Sequence, residues 1–367
     1  MGKVLYVAST VAHLKSFHEP YIEALKARGH EVLTMARGAE ANFDVPFEKK
    51  LLAPQNMKCR RMIRKIVKDG GFDLVILNTS LAAFHTRAAL PRKNRPTVLN
   101  IMHGYLFPFK APASIKGRIK RLLLLFAEKA VRNKTDAVMT MNSEDTAIAL
   151  KYKLSSSSVL ECRGMGIPRT EPHSTREAIR TELGADGRLV LSFVGEYSGR
   201  KNQEYLISLM PKIKEKIPNA VLWLIGEGDE RARFERMIRD LSLSDSVRLV
   251  GRRSDAVDLM RASDIYVSAS KSEGLPFNIV EALGAGCDIV ASDVKGQRDI
   301  LSNGAGVLFN LSDGEAFVEA VADIAERRLV IDGQKKREAY AAYAAENVFD
   351  DTLNMIMEVG FPDRENR

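Results

Sequence analysis

The chain has 367 residues and a formal net charge of +8, with 28% charged and 45% hydrophobic residues. This length and composition are typical of two globular domains and exclude a largely disordered chain. No run approaches the roughly 18 apolar residues of a membrane-spanning helix, and three scattered cysteines, Cys59, Cys162 and Cys287, argue against a zinc site or a disulfide framework.

The first half of the chain alternates short apolar strands with amphipathic helices. The N-terminal stretch lacks the apolar core and cleavage site of a signal peptide, so we expect a cytoplasmic protein. Strands are predicted at residues 4–8, 32–35, 74–77, 97–101 and 137–140, and helices at 17–28, 57–68, 81–90 and 115–132. The alternation predicts a parallel, doubly wound sheet with ligands at the C-terminal ends of its strands.

Two histidines follow predicted strands of this half. His13 comes after the first strand, behind Ser9 and Thr10, and His103 comes directly after the fourth. A lone histidine is more often structural than catalytic, but two at one edge of a sheet shift that balance modestly toward function. Other candidates lie in predicted helices and are less informative: His18, Glu19 and His85.

The helix predicted at residues 115–132 is basic and amphipathic. Residues 1–168 hold 28 Lys and Arg against 13 Asp and Glu, or +15, whereas the remainder carries −7. Such a helix indicates contact with an anionic membrane surface, although a core-packing helix with a solvated basic face fits equally well. Nucleic acid is not favoured, because no aromatic interleaving accompanies the charge. The basic residues here and on a neighbouring helix are Lys110, Lys116, Arg118, Lys120, Arg121 and Lys129, with Lys58, Arg60, Arg61, Arg64 and Lys65.

A polar stretch, RTEPHSTRE, separates the two halves and is predicted to be the interdomain linker. We therefore expect an N-terminal domain at residues 1–168 and a C-terminal domain at 169–345. The last segment, 346–367, shows apolar residues at helical spacing and is expected to pack back on the N-terminal domain.

The second half repeats the alternation, with strands at residues 189–194, 220–225, 247–250, 265–267, 289–291 and 306–309. Arg200 and Lys201 follow the first of these and open a helix. Cations are disfavoured at a helix N-terminus unless an anion sits there, so the pair indicates a diphosphate. The alternative is a solvated pair of cations.

Two further strand ends carry weaker signals. Gly226 belongs to a G-x-G that lacks the third glycine of a dinucleotide fingerprint. Arg252 follows the next strand, at an edge that could seat a nucleobase through backbone groups.

The densest signal lies between residues 268 and 292, where a strand, a turn and a helix carry two acids eight positions apart, Glu273 and Glu281. Pro276 suits a first helical position, and Gly274 allows close approach of a ligand. Free amides at a helix N-terminus can bind phosphate, and Glu281, one turn into the helix, would face a sugar hydroxyl. The alternative is a βαβ unit with a glycine-rich turn and two solvated acids.

These motifs together resemble glycosyltransferase family 4, whose members have two Rossmann-like domains facing each other across a cleft, the GT-B architecture. The resemblance rests on FVGEYSGRKN, LIGEGDE, VRLVGRR, ASDIYVSASKSEGLPFNIVEALGAGCDIVASDVKGQRDIL and GAGVLF. The first half is more loosely similar to the polysaccharide-assembly branch, through VASTVAHLKSFHEPYIEALKARGHEV and NIMHGYLF.

The resemblance implies roles for individual residues. Glu273 would lie near the donor sugar, Glu281 would bind the ribose and Lys201 would bind phosphate, with Arg200 beside it. His103 would support charge beside the transferred sugar. The turn formed by Gly274, Leu275, Pro276 and Phe277 would hold the diphosphate through its backbone amides.

Two positions depart from the family pattern. Glu196 replaces an arginine that contacts the diphosphate in many relatives, and Arg200 is expected to compensate. Ser9 and Thr10 stand where many relatives have a Gly-Gly turn, so the acceptor side, with His13, is less well defined.

The function implied is a retaining transfer of a sugar from a nucleoside diphosphate donor, UDP-N-acetylhexosamine or UDP-hexose, without a cofactor or metal. The acceptor would be a lipid-linked saccharide in capsule or exopolysaccharide assembly, reached from the inner face of the cell membrane. A non-hydrolysing UDP-sugar epimerase and an inactive sugar-nucleotide-binding protein are the alternatives.

Overall fold

The computed structural model describes residues 1–48, 53–105 and 114–362. The chain divides into two compact units, Met1–Gly166 with Glu346–Arg367, and Ile167–Ala345. Each unit contains one parallel sheet with helices, so the predicted α/β class with two Rossmann-like domains is confirmed. Lys110, predicted to add to the basic surface, lies outside the described residues.

The first unit is built on seven parallel strands: β1 (Lys3–Thr10), β2 (Glu31–Arg37), β3 (Phe43–Asp44), β4 (Leu74–Leu77), β5 (Thr97–Met102), β6 (Ala137–Thr140) and β7 (Ser158–Glu161). Their order is β3-β2-β1-β4-β5-β6-β7. The central strands are buried runs of apolar residues because helices cover both faces of a parallel sheet. The strand order reverses between β1 and β4, where such sheets open a crevice for ligands.

The α-helices among the described residues of the Met1–Gly166 part are α1 (Val11–Phe17), α2 (Glu19–Ala27), α3 (Pro54–Gly70), α4 (Ser80–Ala89), α5 (Ile115–Val131) and α6 (Ser143–Tyr152). One helix was predicted at residues 17–28, but its start is wrong, because α1 ends just before His18 and α2 begins just after it. Pro20 lies in the first turn of α2, where its missing N–H is tolerated but would interrupt a continuous helix.

The second unit has six parallel strands: β8 (Leu189–Val194), β9 (Ala220–Ile225), β10 (Val247–Gly251), β11 (Ile265–Ser268), β12 (Asp288–Ser292) and β13 (Val307–Phe309). Their order is β10-β9-β8-β11-β12-β13, which reverses between β8 and β11. The helices are α7 (Arg176–Glu182), α8 (Gln203–Lys216), α9 (Arg231–Asp240), α10 (Ala256–Ala262), α11 (Phe277–Gly284), α12 (Gln297–Leu301), α13 (Gly314–Ala325) and α14 (Gly333–Ala341).

The segment between the two sheets differs in detail from the prediction. Helix α7 begins at Arg176, inside the stretch predicted to be a linker, with Thr175 as its N-cap. The last helix, α15 (Ala345–Gly360), is separate from α14, and the first unit includes the chain from Glu346 onward. Phe349 packs against Tyr21 with ring centroids 4.7 Å apart, and Thr352 donates a hydrogen bond to the Gly164 carbonyl.

Candidate functional site

The loops that follow β8 and β11 meet at the strand-order reversal of the second unit. The backbone N–H of Lys271 donates to the Arg200 carbonyl at 2.9 Å. Asn202, held at a φ of 59°, donates its side-chain amide to the Ala269 carbonyl at 3.0 Å. Asparagine tolerates this left-handed conformation better than most residues. These bonds hold the Arg200-Lys201 turn against the loop that carries Glu273.

Glu273 lies between the two cations that precede α8. Its Oε1 accepts from Lys201 Nζ at 2.8 Å and its Oε2 accepts from Arg200 Nη1 at 2.7 Å. Burial alone would raise the pKa of the Glu273 carboxyl, but Lys201 and Arg200 outweigh burial and hold that pKa below its usual range. The three side chains therefore form one cluster with a net charge of +1.

The two cations differ in their exposure. The side chain of Lys201 is 12% exposed, whereas that of Arg200 is 50% exposed. Lys201 is thus enclosed by its surroundings, whereas Arg200 reaches solvent while it also donates to the Ser272 carbonyl at 3.1 Å. The sequence predicted these residues separately, the cations for phosphate and the acid for sugar. The structure brings all three together in one cluster.

A buried network of hydrogen bonds holds the start of the loop that carries Glu273. The hydroxyl of Ser292 donates to the Ser270 carbonyl at 2.6 Å, and Gln297 Nε2 donates to Ser268 Oγ at 2.6 Å. Ser292 Oγ and Gln297 Oε1 also lie 3.0 Å apart. All four residues are fully buried. Sequence reasoning missed this support, although serines at the ends of the adjacent strands β11 and β12 were a usable signal.

The turn before α11 is closely packed against Gly296. A Cβ on Gly296 would lie 2.3 Å from the Gly274 carbonyl oxygen, and its φ of 78° favours glycine. Pro276 is the N-cap and not the first helical residue, because its ψ of 90° is extended. The prediction for Pro276 is therefore wrong by one position. Leu275 and Pro276 are buried, and Gly274 and Phe277 are half-buried.

Glu281 lies within α11, two turns beyond Glu273, and is half-buried. Burial raises the pKa of its carboxyl, and the charge of Lys201 only partly opposes this. A carboxyl that is hard to ionise would gain from hydrogen-bond donors supplied by a ligand.

The other predicted positions of this unit have different surroundings. Gly226 is required by packing, because a Cβ there would lie 2.1 Å from the Gly195 carbonyl oxygen. Arg252 is exposed, whereas its neighbour Arg253 pairs with Glu182 and Asp255. The side chain of Glu196 is exposed as well.

The strand-order reversal of the first unit carries Ser9 and Thr10. Ser9 Oγ lies 2.7 Å from Thr79 Oγ1, which joins the ends of β1 and β4. Thr10 is the N-cap of α1 and accepts from the backbone N–H of His13 at 3.3 Å. Both residues line a cavity of about 400 Å³ whose other walls include Phe84, Met102 and Tyr105.

His13 and His103 do meet, as expected from their strand ends, and His18 joins them. The His13 and His103 rings lie 4.9 Å apart, and each ring lies 5.2 Å from that of His18. Burial lowers the pKa of His13 to about 4 and that of His103 to about 3, and it holds that of His18 well below its usual range. The three imidazoles are therefore neutral at pH 7. His18, which the sequence made less informative than the two strand-end histidines, thus lies beside both of them.

Helix α5 exposes an apolar stripe, whose side chains are 54% to 75% exposed: Ile115, Ile119, Leu122, Leu123 and Phe126. The opposite face is buried through Leu125, Glu128 and Val131. Lys116, Arg118, Lys120 and Lys129 are exposed on the same helix. The helix therefore packs in the core through Leu125 and Leu124 and has a solvated basic face, as one alternative expected, while its exposed apolar stripe is compatible with the other, a membrane contact. In the described part of the chain, no helix is long and apolar enough to cross a bilayer.

Residues 175–347 match the family model of glycosyl transferases group 1. The chain is 29% identical over 337 residues to EpsD of Bacillus subtilis, which carries a glycosyltransferase name, covering 88% of this chain and 87% of EpsD. It is 24% identical over 284 residues to an Escherichia coli UDP-Gal:alpha-D-GlcNAc-diphosphoundecaprenol alpha-1,3-galactosyltransferase, covering 75% of this chain and 72% of that protein.

Solved structures share the fold. Anabaena HepE in complex with UDP-glucose superimposes with a TM-score of 0.69 at 16% identity, covering 98% of this chain and 100% of that chain. WaaG, a glycosyltransferase involved in lipopolysaccharide biosynthesis, gives a TM-score of 0.70 at 15% identity, covering 96% of this chain and 99% of WaaG.

Proposed function

We propose that this glycosyltransferase is a family 4 enzyme that transfers a sugar from a UDP-linked donor with retention of configuration, which the match of residues 175–347 to the model of glycosyl transferases group 1 supports. The donor is UDP-N-acetylhexosamine or UDP-hexose. The acceptor is a lipid-linked saccharide in capsule or exopolysaccharide assembly.

The observation that carries the proposal is the cluster of Arg200, Lys201 and Glu273 at the strand-order reversal of the second unit. Its net charge of +1 matches a diphosphate better than a neutral sugar. Lys201 meets the diphosphate in a fixed position, and the half-exposed Arg200 turns from Glu273 onto it. Backbone amides of the turn before α11 complete the site, as helix N-termini do for phosphates.

Two acids take the remaining parts of the donor. Glu281 accepts hydrogen bonds from the ribose hydroxyls. These bonds stabilise the ionised form of its half-buried carboxyl. Glu273 lies near the donor sugar and also positions Lys201. Gly226 follows β9 and Arg252 follows β10, the two strands on one side of β8, and the backbone at these strand ends binds the base.

The transfer breaks the bond between the anomeric carbon and the donor's phosphate oxygen and forms a bond to an acceptor hydroxyl on the same face. The acceptor proton passes to the leaving phosphate. Both oxygens of Glu273 accept from cations, so this carboxylate is poorly suited to attack carbon, which supports the same-face route over double displacement. Lys201 and Arg200 stabilise the leaving group without a metal, and His103 stabilises charge on the reacting sugar.

The first unit receives the acceptor. Ser9, Thr10 and His13 belong to its acceptor side, and the E. coli relative, which is named for transfer to GlcNAc-diphosphoundecaprenol, supports a lipid-linked acceptor. The exposed apolar stripe of α5, flanked by lysines and arginines, supports peripheral attachment to the inner face of the cell membrane. Such a helix lies in the interface and brings the protein to its lipid-linked substrate.

A thermal-shift panel of nucleotide sugars, followed by a transfer assay with membrane lipids, tests the proposal. A true donor at 100 times its dissociation constant stabilises the protein by about 2.7 kcal/mol. Transfer should require Glu273, so Glu273→Ala is the matched inactive variant. No stabilisation by any UDP-sugar, or full transfer by Glu273→Ala, would overturn the proposal.

A further inference from the structure

Three histidines from separate elements meet in the first unit. His13 lies in the first turn of α1, His18 lies where α1 and α2 meet, and His103 follows β5. One ligand atom from each can be chosen so that all three lie within 4.8 Å of one another. The rings do not stack, since His103 is nearly perpendicular to both others, at 81° and 89°.

The Nε2 atoms of these histidines are buried and find no hydrogen-bond partner among the described residues. An unsatisfied buried polar atom costs about 1–3 kcal/mol. Three such atoms in one cluster therefore destabilise the fold considerably if the histidines have only a packing role. A single cation bound by the three nitrogens would satisfy all of them at once.

We propose that His13, His18 and His103 form a binding site for one divalent transition-metal ion, with Zn²⁺ as its first probe. Three neutral imidazoles are typical ligands for Zn²⁺, and they leave a fourth position open for water or another ligand. No carboxylate or thiol is needed for this set. The site extends beyond the proposed transfer, which uses no metal.

The geometry is compatible with a metal after a small movement. Tetrahedral zinc, with Zn–N distances of about 2.0–2.1 Å, places its nitrogens roughly 3.3 Å apart, so the ligand atoms must close by up to about 1.5 Å. His13 and His103 are half-buried, which leaves room for this adjustment, whereas His18 is fully buried.

Tyr6 lies behind His18, with its hydroxyl oxygen 3.4 Å from Nδ1. If Nδ1–H donates to that oxygen, Nε2 carries the lone pair that a metal needs. Metal-bound histidines are commonly oriented by such a partner on their other ring nitrogen. Tyr6 is thus placed to fix the tautomer that the metal requires.

Binding, and not activity, is the correct readout, because His103 is also assigned to the transfer reaction. Untagged full-length protein is stripped with EDTA, titrated with Zn²⁺ by calorimetry, and studied by X-ray absorption once loaded. We expect one ion per chain, with three imidazole ligands. Loss of a direct ligand should weaken binding by more than the roughly 10- to 100-fold that loss of an outer partner costs.

Three variants complete the test. His18→Gln and His13→Gln should lose most of the affinity, whereas His30→Gln, at a buried histidine that packs on Phe361 outside the cluster, should bind as the wild type does. Circular dichroism checks that each variant folds. Absence of zinc binding by the wild type, unchanged affinity in His13→Gln, or an absorption spectrum without three imidazoles would each overturn the proposal.

Discussion

Lys201 Nζ lies 2.8 Å from Glu273 Oε1, across a sequence separation of 72 residues. Both side chains are largely buried, and Arg200 binds the other oxygen of the same carboxylate. The acid therefore positions both cations. Pre-positioned charges stabilise a developing anion without the cost of reorganising at the moment of reaction.

Replacing Lys201 with alanine should weaken UDP binding by roughly 10- to 150-fold, because it removes one charge-assisted contact worth about 1.5–3 kcal/mol. It should also destabilise the fold, since buried Glu273 loses a partner. Arg200→Ala should reduce UDP affinity with less than about 1 kcal/mol of destabilisation, because Arg200 is half-exposed. Calorimetry with UDP and chemical denaturation measure both. Equal UDP affinity in Lys201→Ala and the wild type would refute the assignment.

Glu281→Gln should raise stability near neutral pH while lowering UDP affinity by roughly tenfold or more, since a hydrogen bond to a charged group is lost. Folding raises the pKa of Glu281 above its ordinary value of 4.5. Between these two pKa values the folded protein therefore binds more protons at Glu281 than the unfolded chain does. The protonated Glu281 carboxyl therefore favours the folded state at low pH, and this stability is lost as pH rises through the pKa of the folded state. The melting-temperature gain of the variant should therefore shrink as the pH falls toward 4.5. A constant gain across this pH range would contradict the prediction.

Gly296→Ala should distort the turn at Gly274, because its Cβ would lie 2.3 Å from the carbonyl oxygen there. Gly286 is the matched control, with a φ of 85° and nothing within 4 Å of a new Cβ. Backbone strain alone costs about 1–3 kcal/mol in both variants. We expect only Gly296→Ala to lose more than this and to bind UDP weakly. Identical melting temperatures and UDP affinities in the two variants would rule out the packing argument.

Glu128→Ala should destabilise the first unit by about 3–5 kcal/mol, because it leaves a buried charge unpaired. Arg87 is fully buried and donates two hydrogen bonds to Glu128, at 2.9 Å and 3.1 Å. Glu23→Ala removes an exposed pair with Lys26 and should cost below about 1 kcal/mol. Urea denaturation of both variants checks the difference, and equal losses would show that burial of the pair is unimportant.

Replacing the exposed Leu123 and Phe126 together with serine should weaken binding to anionic vesicles by more than about tenfold, since each buried side chain of this size contributes about 1.5–3 kcal/mol. Leu150→Ser, at a residue 59% exposed on α6 of the same unit, is the control and should bind normally. Vesicle co-sedimentation at low salt measures the affinities. Unchanged binding by the double variant would exclude α5 as the membrane contact.

The sequence predicted most of the fold because parallel strands and amphipathic helices have local periodicity. It failed where periodicity was weak, as at β7, whose start was hidden in a run of serines, and at His18, where Pro20 separates two helices. In the candidate site, residue types after strand ends singled out Arg200, Lys201 and Glu273, and the position within α11 singled out Glu281. Their pairing was not predicted, because contacts across 72 residues leave no local pattern.

The sequence by itself determined that this is a two-domain α/β protein with a phosphate-suited turn in its second half. Alternating hydrophobicity and the residue types at strand ends are sufficient for that conclusion. Only the tertiary structure decided that Glu273 holds both cations, that three histidines share one place, and that the apolar stripe of α5 faces outward. The physical reason is that ion pairing, ligand clustering and exposure depend on the strand order and helix packing that bring distant residues together.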